Sequence, residues 1–216
     1  VVLVNPCNPL GYCLSTRERS DLFRWCCDYQ VTLLVDEAFQ DFIQEETSFF
    51  PQLNREEKYT NLIIVRSLTK YFALAGLRSG CLLARPTLII KWLEKVEPWN
   101  LNSLLAITLD LLSKSDLSEF HFQTHQFLKG EKQYIEERWM KLNDLFELQP
   151  SLVNYYTVKI KSKPEPFYLF LQHQGLLVRP LGDFWSMSDE YFRFSVRTHE
   201  ENIKLIEVIS HYARSL

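Results

Sequence analysis

Short apolar runs alternate with amphipathic stretches along the first half of the chain. Residues 1–4, 31–35, 62–65 and 80–84 predict strands, and the first of these reads as a fully buried strand. Ser15 and Glu18 have capping-box spacing and predict a helix that runs to about Tyr29, while Pro86 starts a helix that runs to about Val96. This alternation predicts an α/β fold built on a mostly parallel sheet.

The pattern changes in the second half of the chain. Residues 102–112 and 119–146 predict two helices, and strands follow at 155–160, 176–179 and 191–196. A helix over 166–174 is expected to end at Gly175, and a capping box at Thr198 starts a final helix to about Ala213. The sequence therefore predicts a large-domain part over 1–97, connecting helices over 98–147, and a small α+β domain over 148–216.

Composition narrows the class of protein. The 216 residues are 46% hydrophobic with a net charge of −3, so no basic excess points to nucleic acid. No apolar run reaches the ~18–20 residues of a membrane span. The five cysteines are odd in number and lack paired CxxC spacing, and the five histidines show no metal spacing. We expect a cytoplasmic protein with reduced thiols, no metal, and no nucleic-acid or membrane partner.

Three polar residues, Asn8, Asp36 and Lys70, each follow a predicted strand. Because the carboxyl ends of parallel strands meet at one edge of a sheet, these side chains should gather there. An ammonium at that edge must lose water or find a partner. Ser67 and Arg78 lie near Lys70 in the sequence and supply two anion-binding groups. The combination suits an amine that condenses with a phosphorylated aldehyde.

Other interpretations of these residues exist. A single lysine at a strand end is usually solvated, and Asp36 could be a helix cap or a loop carboxylate. Asp36 and Glu37 after an apolar run also resemble the Walker B acid pair of an ATPase. That function requires a GxxxxGK[ST] loop, and the sequence contains none.

Four blocks of sequence, at 5–11, 36–39, 67–80 and 191–197, occur in the order known from one superfamily. The chain resembles the fold-type I pyridoxal-phosphate enzymes of the aspartate aminotransferase superfamily. Within it, the chain is most similar to the branch that holds histidinol-phosphate aminotransferase and threonine-phosphate decarboxylase. The residues at 36–43, 66–70 and 97–100 are more similar to those of the decarboxylase.

The resemblance implies a role for each cofactor-binding residue. Lys70 would be the catalytic lysine that bonds the cofactor, pyridoxal 5'-phosphate. Asp36 would pair with the pyridine nitrogen and keep the ring protonated, which makes the ring a better electron sink. Asn8 would donate a hydrogen bond to the phenolic oxygen. Ser67 and Arg78 would bind the cofactor phosphate.

The resemblance also implies substrate-binding residues in the last block. Arg193 would hold the substrate α-carboxylate, and Arg197 would either reach a phosphate of the substrate or cap the following helix. Phe39 and Leu10 depart from the pattern, because many aminotransferases have tyrosine and threonine there. Phenylalanine removes a hydrogen-bond donor to the phenolic oxygen, at a cost of ~1 kcal/mol.

The resemblance leaves three functions open. The first is decarboxylation of an O-phosphorylated amino acid such as threonine phosphate, in cobalamin biosynthesis. The second is an aminotransferase acting on histidinol phosphate or a similar amino acid. The chain starts with Val1 instead of methionine, and the resembled enzymes carry more sequence before this point. We therefore expect a C-terminal portion of a longer enzyme, whose large domain lacks its N-terminal part. The resemblance implies that this enzyme is a homodimer. The third function, for this portion alone, is a catalytically silent scaffold.

Overall fold

The computed structural model describes residues 1–54 and 61–216. These residues form two compact units: Val1–Asn8 with Tyr12–His121, and Pro9–Gly11 with Phe122–Leu216. The division at residues 97 and 147 stays a prediction. Within the two described ranges, no helix has both the length and the apolar character needed to cross a bilayer.

Among its described residues, the first unit contains four strands and four complete helices. The strands are β1 (Val2–Val4), β2 (Leu33–Asp36), β3 (Leu62–Ser67) and β4 (Gly80–Ala84). The helices are α1 (Thr16–Asp28), α2 (Leu68–Tyr71), α3 (Pro86–Leu93) and α4 (Ser103–Lys114). Short 3-10 helices lie at Gln40–Phe42, Phe50–Asn54 and Ala75–Leu77.

The sheet of this unit has the order β1-β2-β3-β4. The first three strands are parallel and β4 runs antiparallel to β3, so the predicted mostly parallel sheet is confirmed. Side chains at the centre of β2 and β3 are buried against α1. The expectation that the first strand is fully buried is wrong, because β1 lies at the edge of this sheet and Val2 is 74% exposed.

Helix α1 begins and ends where the sequence pattern predicts. The Ser15 side chain accepts a hydrogen bond from the Glu18 backbone, and the Glu18 side chain accepts one from the Ser15 backbone. This capping box satisfies amide groups that a helix start leaves without partners. Phe23 and Cys26 are buried on the inner face of the helix.

The second unit is an antiparallel sheet covered by helices. Its strands are β5 (Phe146–Leu148), β6 (Tyr155–Ile160), β7 (Arg179–Pro180) and β8 (Tyr191–Ser195), in the order β5-β6-β8-β7. Helix α5 (Ser118–Trp139) is followed by a 3-10 helix at Met140–Leu142, and α6 (Pro164–His173) and α7 (His199–Arg214) complete the unit. Gly175, at φ +68°, follows α6 as predicted. The small α+β arrangement is confirmed.

Two predicted elements of this unit are shorter than expected. The helix predicted to reach Phe146 ends at Trp139, because the chain turns back and the Trp139 indole donates a hydrogen bond to the Phe146 carbonyl at 3.0 Å. Phe146 then pairs with β6 and not with a helix. The strand predicted over 176–179 is reduced to Arg179–Pro180, since only these residues pair with β8.

Candidate functional site

Polar side chains collect where β1, β2 and β3 end. Asn8 follows β1, while Asp36 and Ser67 are the last residues of β2 and β3. The parallel register places Val4 beside Asp36 and Asp36 beside Val65. The three strand ends therefore meet at one edge of the sheet, which is the edge where α/β proteins bind ligands.

Lys70 lies in α2, the short helix that starts directly after β3. Its Nζ is 3.5 Å from Ser67 Oγ and 4.9 Å from the centre of the Phe39 ring. The residue is exposed. The sequence predicts that this ammonium either loses its water or finds a partner. The structure shows that it has partners, because it contacts a hydroxyl and the face of an aromatic ring.

Asp36 is half-buried, and its Oδ1 accepts a hydrogen bond from the Ala38 backbone at 2.9 Å. This bond is an Asx turn, so the loop interpretation of the carboxylate holds in the structure. It does not conflict with a binding role, because a carboxylate can accept several hydrogen bonds through its two oxygens. The turn fixes the orientation of the carboxylate at the strand end.

The reversal from β3 into β4 puts Ser67 and Arg78 in one turn of the chain. Ser67 pairs with Gly80 across the two strands. The Ser67 hydroxyl is 2.7 Å from Thr69 Oγ1, and exposed Arg78 donates from Nη1 to the Ala75 carbonyl at 3.3 Å. Two hydroxyls lie beside the lysine, and the arginine in the same reversal supplies a guanidinium, so this segment carries groups that can donate to an anion.

Gly80 is required for this reversal. A Cβ atom at position 80 would lie 2.8 Å from the Arg66 backbone oxygen, which is closer than real contacts allow. The neighbouring Ser79 hydroxyl is buried and has no hydrogen-bond partner among the described residues. Tight packing of β4 on β3 thus holds the turn that carries Arg78.

Asn5, which follows β1, joins two loops. It is 1% exposed, donates from Nδ2 to the Thr47 carbonyl at 3.1 Å, and accepts at Oδ1 from the Leu14 backbone at 2.8 Å. Asn8 is half-buried. Asn5 therefore supports the segment on which Asn8 lies.

Sequence reasoning missed a buried ion pair beside the strand ends. Arg66 Nη2 is 3.0 Å from Glu37 Oε2, and the Glu37 side chain is fully buried. Burial raises the pKa of Glu37, although hydrogen bonds from Phe49 and Ser48 and the charge of Arg66 act in the opposite direction. The available signal was a pair of opposite charges, each adjacent in sequence to a predicted site residue.

The second unit contains a basic pocket of about 410 Å³. Its charged lining residues are four cations and one carboxylate: Arg179, Arg193, Arg197, Lys204 and Glu201. Both arginines predicted to bind substrate are among them. A concave surface with this excess of positive charge favours an anionic ligand.

Arg193 extends from β8 and is half-buried. Its guanidinium carbon lies 5.0 Å from the centre of the Tyr155 ring. Burial lowers the pKa of Arg193; Tyr155 acts to raise it, and the positive charge of Arg179 lowers it further. An arginine stays protonated in proteins, so the pocket keeps a partly desolvated cation.

Arg197 lies just before α7, and both of its backbone groups bond to Asn202. Its N–H donates to Asn202 Oδ1 at 3.0 Å, and its carbonyl accepts from Asn202 Nδ2 at 2.8 Å. The Arg197 side chain donates from Nε to Glu201 at 2.8 Å. Thr198 is the capping residue of α7, so the cap does not require the Arg197 side chain.

The comparisons with known proteins identify the family. The family model for class I and II aminotransferases matches residues 1–209. The chain belongs to this family. It is 31% identical over 214 residues to a histidinol-phosphate aminotransferase of Bacteroides fragilis, covering 98% of this chain and 58% of that protein. It is 28% identical to a putative threonine-phosphate decarboxylase of Caldanaerobacter subterraneus, covering 97% of this chain and 56% of that protein.

The aminotransferase fold is also found among solved structures. The histidinol-phosphate aminotransferase of Clostridium acetobutylicum matches with a TM-score of 0.90 and 22% sequence identity. That match covers all of this chain and 64% of the other one. The chain spans somewhat more than half the length of these two curated relatives.

Enzymes of the class I and II aminotransferase family use pyridoxal 5'-phosphate, and the residues of the first unit fit that group. The set contains an amine, a half-buried carboxylate, a carboxamide, hydroxyls and a guanidinium. Groups of these kinds would suit the aldehyde, ring nitrogen, phenolic oxygen and phosphate of the cofactor. Nothing in this donor set conflicts with the cofactor.

Proposed function

We propose that the chain is part of a pyridoxal-phosphate-dependent lyase that decarboxylates an O-phosphorylated amino acid such as threonine phosphate, in cobalamin biosynthesis. The observation that carries this proposal is the basic pocket of the second unit. Its three arginines suit a substrate that presents a carboxylate and a phosphate. The name of the Caldanaerobacter relative, a putative threonine-phosphate decarboxylase, points to the same substrate class.

In this proposal the first unit binds the cofactor. When bound, the cofactor supplies an electron sink for the pair released at the substrate Cα. Lys70 would hold the cofactor at its amine, and Asp36 would keep a proton on the ring nitrogen. Asn8 would donate a hydrogen bond to the phenolic oxygen, while Ser67 and Arg78 would hold the phosphate.

The second unit would orient the substrate. Arg193, on a strand and half-buried, would hold the α-carboxylate as a charged fork. Arg197, which lines the pocket and also donates to Glu201 at 2.8 Å, would bind the substrate phosphate. Arg179 contributes positive charge, although it is also paired with Asp183 at 2.6 Å.

The alternative function is an aminotransferase acting on histidinol phosphate. It is favoured by the 31% identity to the Bacteroides enzyme of that name. The lyase is favoured by Phe39, whose ring occupies a position where many aminotransferases carry a tyrosine. Phe39 is buried, with the Lys70 ammonium over its face. A phenyl ring cannot donate a hydrogen bond to the cofactor oxygen.

The substrate proposal is tested with the full-length protein that contains this chain. Purified protein is incubated with pyridoxal phosphate and threonine phosphate, and released carbon dioxide is measured. Release of carbon dioxide that is lost in Lys70→Ala supports the lyase. Absence of gas, together with amino transfer from histidinol phosphate to 2-oxoglutarate, would establish the aminotransferase instead.

The cofactor proposal is tested on the 216-residue chain itself. The chain is mixed with pyridoxal phosphate, reduced with borohydride and digested, and the modified peptide is identified by mass. Preferential modification of Lys70 over the other lysines supports a binding role and contradicts the silent-scaffold interpretation. Equal modification of several exposed lysines would contradict the site. A cytoplasmic homodimer remains a prediction for the whole enzyme.

A further inference from the structure

The Glu37–Arg66 pair is the centre of a buried polar network in the first unit. Glu37 Oε2 accepts from Arg66 Nε at 3.1 Å and from Ser48 Oγ at 2.7 Å, and Oε1 accepts from the Phe49 backbone at 2.6 Å. Arg66 also donates from Nη1 to Asp41 at 3.1 Å and from Nη2 to Ser48 Oγ at 3.0 Å. A buried charge is tolerated only when it is bonded in this way.

This network joins the ends of the two strands that carry the proposed cofactor residues. Glu37 directly follows Asp36 at the end of β2, and Arg66 directly precedes Ser67 at the end of β3. The Glu37 backbone donates to the Val65 carbonyl at 2.8 Å, so the parallel ladder continues to this point. The ion pair and the ladder together fix one strand end against the other.

Alternation places the ion pair on the opposite face of the sheet from the proposed site. The burial alternates along β2 and into the residue after it, with Val35 buried, Asp36 half-buried and Glu37 buried. Arg66 and Ser67 are likewise consecutive residues of β3, so their side chains point to opposite faces. Neither Glu37 nor Arg66 therefore has to touch a cofactor in order to affect the side chains that do.

We propose that Glu37 and Arg66 are positioning residues that set the spacing between the Asp36 carboxylate and the turn carrying Ser67 and Lys70. The inference rests on the proposed cofactor function. It predicts that removing the ion pair weakens cofactor binding because the Asp36 carboxylate is no longer held in position. Arg66 itself does not have to contact the cofactor.

The test uses a charge-neutral double replacement, because Arg66→Met alone would leave a buried carboxylate without its cation and could unfold the chain. Glu37→Gln with Arg66→Met removes both charges and keeps similar volumes. The matched control is Arg19→Met. Arg19 is buried and bonds the carbonyls of Glu46 and Ser48 at 2.7 Å, in the same loop, but it is bonded to neither Glu37 nor β3.

Pyridoxal phosphate affinity is measured for each variant of the 216-residue chain with and without Asp36→Asn. In the double replacement the dissociation constant should rise about 10-fold, and Asp36→Asn should then add little further loss. In the Arg19 control, Asp36→Asn should cost as much as in the original chain. Unchanged affinity in the double replacement, or equal losses in the control, would overturn the positioning role.

A second readout separates this inference from the cofactor proposal. The backbone amide resonances of Asp36 and Lys70 are compared without cofactor. They should shift in the Glu37→Gln, Arg66→Met chain and stay in place in Arg19→Met. If the original chain takes up no pyridoxal phosphate, the cofactor proposal fails for this chain. The amide shifts then decide the positioning role alone, and unmoved resonances reject it.

Discussion

The adjacent carboxylates of Asp36 and Glu37 occupy different environments. Asp36 is half-buried at the edge where ligands are expected, whereas Glu37 is fully buried and bonded to an arginine. The difference follows from strand alternation, which sends neighbouring side chains to opposite faces. One of the two acids lies partly open at the sheet edge, and the other bonds the end of β2 to Arg66 of β3.

Stability should depend on pH through Glu37. Its pKa is raised from an ordinary value of 4.5, mainly by burial, so the folded chain binds this proton more tightly than the unfolded chain. The stabilising effect is full below 4.5 and is lost as pH rises through the folded pKa. Urea unfolding at increasing pH should show the original chain losing stability relative to Glu37→Gln. If the difference in unfolding free energy between the original chain and Glu37→Gln does not change with pH, the raised pKa of Glu37 is contradicted.

Substrate affinity should depend on Arg193. Replacing Arg193 with glutamine in the full-length protein removes a charge-assisted contact, for which we expect ~1.5–3 kcal/mol, or roughly 10- to 100-fold in kcat/KM for threonine phosphate. The control is Arg138→Gln, since Arg138 stacks on the Tyr134 ring at 3.6 Å and does not line the pocket. Equal losses in both variants would argue against a binding role for Arg193.

At the scale of elements, local signals place the helix starts well. Ser15 and Thr198 are N-caps with complete capping boxes, as their spacing predicts. Strands β4 and β6 also have their predicted bounds. These features depend on neighbours within a few residues, which the sequence displays directly.

Helix α1 should lose about 1 kcal/mol of stability in Ser15→Ala, because the cap bond to Glu18 is removed. The matched control is Ser20→Ala within the same helix, where alanine has the higher propensity and should be neutral or slightly stabilising. Thermal or urea unfolding of both variants measures the difference. A loss in Ser20→Ala equal to that in Ser15→Ala would show that the cap bond is not the cause.

Long-range features could not be predicted from such patterns. The Arg66–Glu37 pair joins residues that are far apart in sequence, and nothing local specifies that partner. Helix α5 ends early because Trp139 bonds the Phe146 carbonyl, a contact that appears only after the chain turns back. In each case tertiary contacts override local periodicity.

At the scale of the whole molecule, each unit has its own hydrophobic core. Phe49 is fully buried in the first core, and Phe167 is fully buried in the second, where it packs against Phe146, Phe192 and Tyr212. The family could be predicted from the sequence, because motifs from both units follow each other in the order known from that superfamily. The roles of the individual site residues remain predictions.

Phe49→Ala and Phe167→Ala should each cost ~3–5 kcal/mol in the unit that contains the change. Hydrogen exchange followed by mass spectrometry reports protection separately for peptides of each unit. We expect Phe49→Ala to reduce protection in the first unit and Phe167→Ala to reduce it in the second. Equal loss across all peptides for either variant would mean that the chain unfolds as a single cooperative body.

The antiparallel pairing of β4 with β3 has a consequence for protein engineering. One continuous segment leaves the sheet at Ser67 and returns at Gly80, and it carries Ser67, Lys70 and Arg78. Such a segment can be replaced as one piece, because its two ends pair with each other in the sheet. Transplanting residues 67–80 from a relative would alter the turn proposed to bind phosphate and would leave the connections between the parallel strands unchanged.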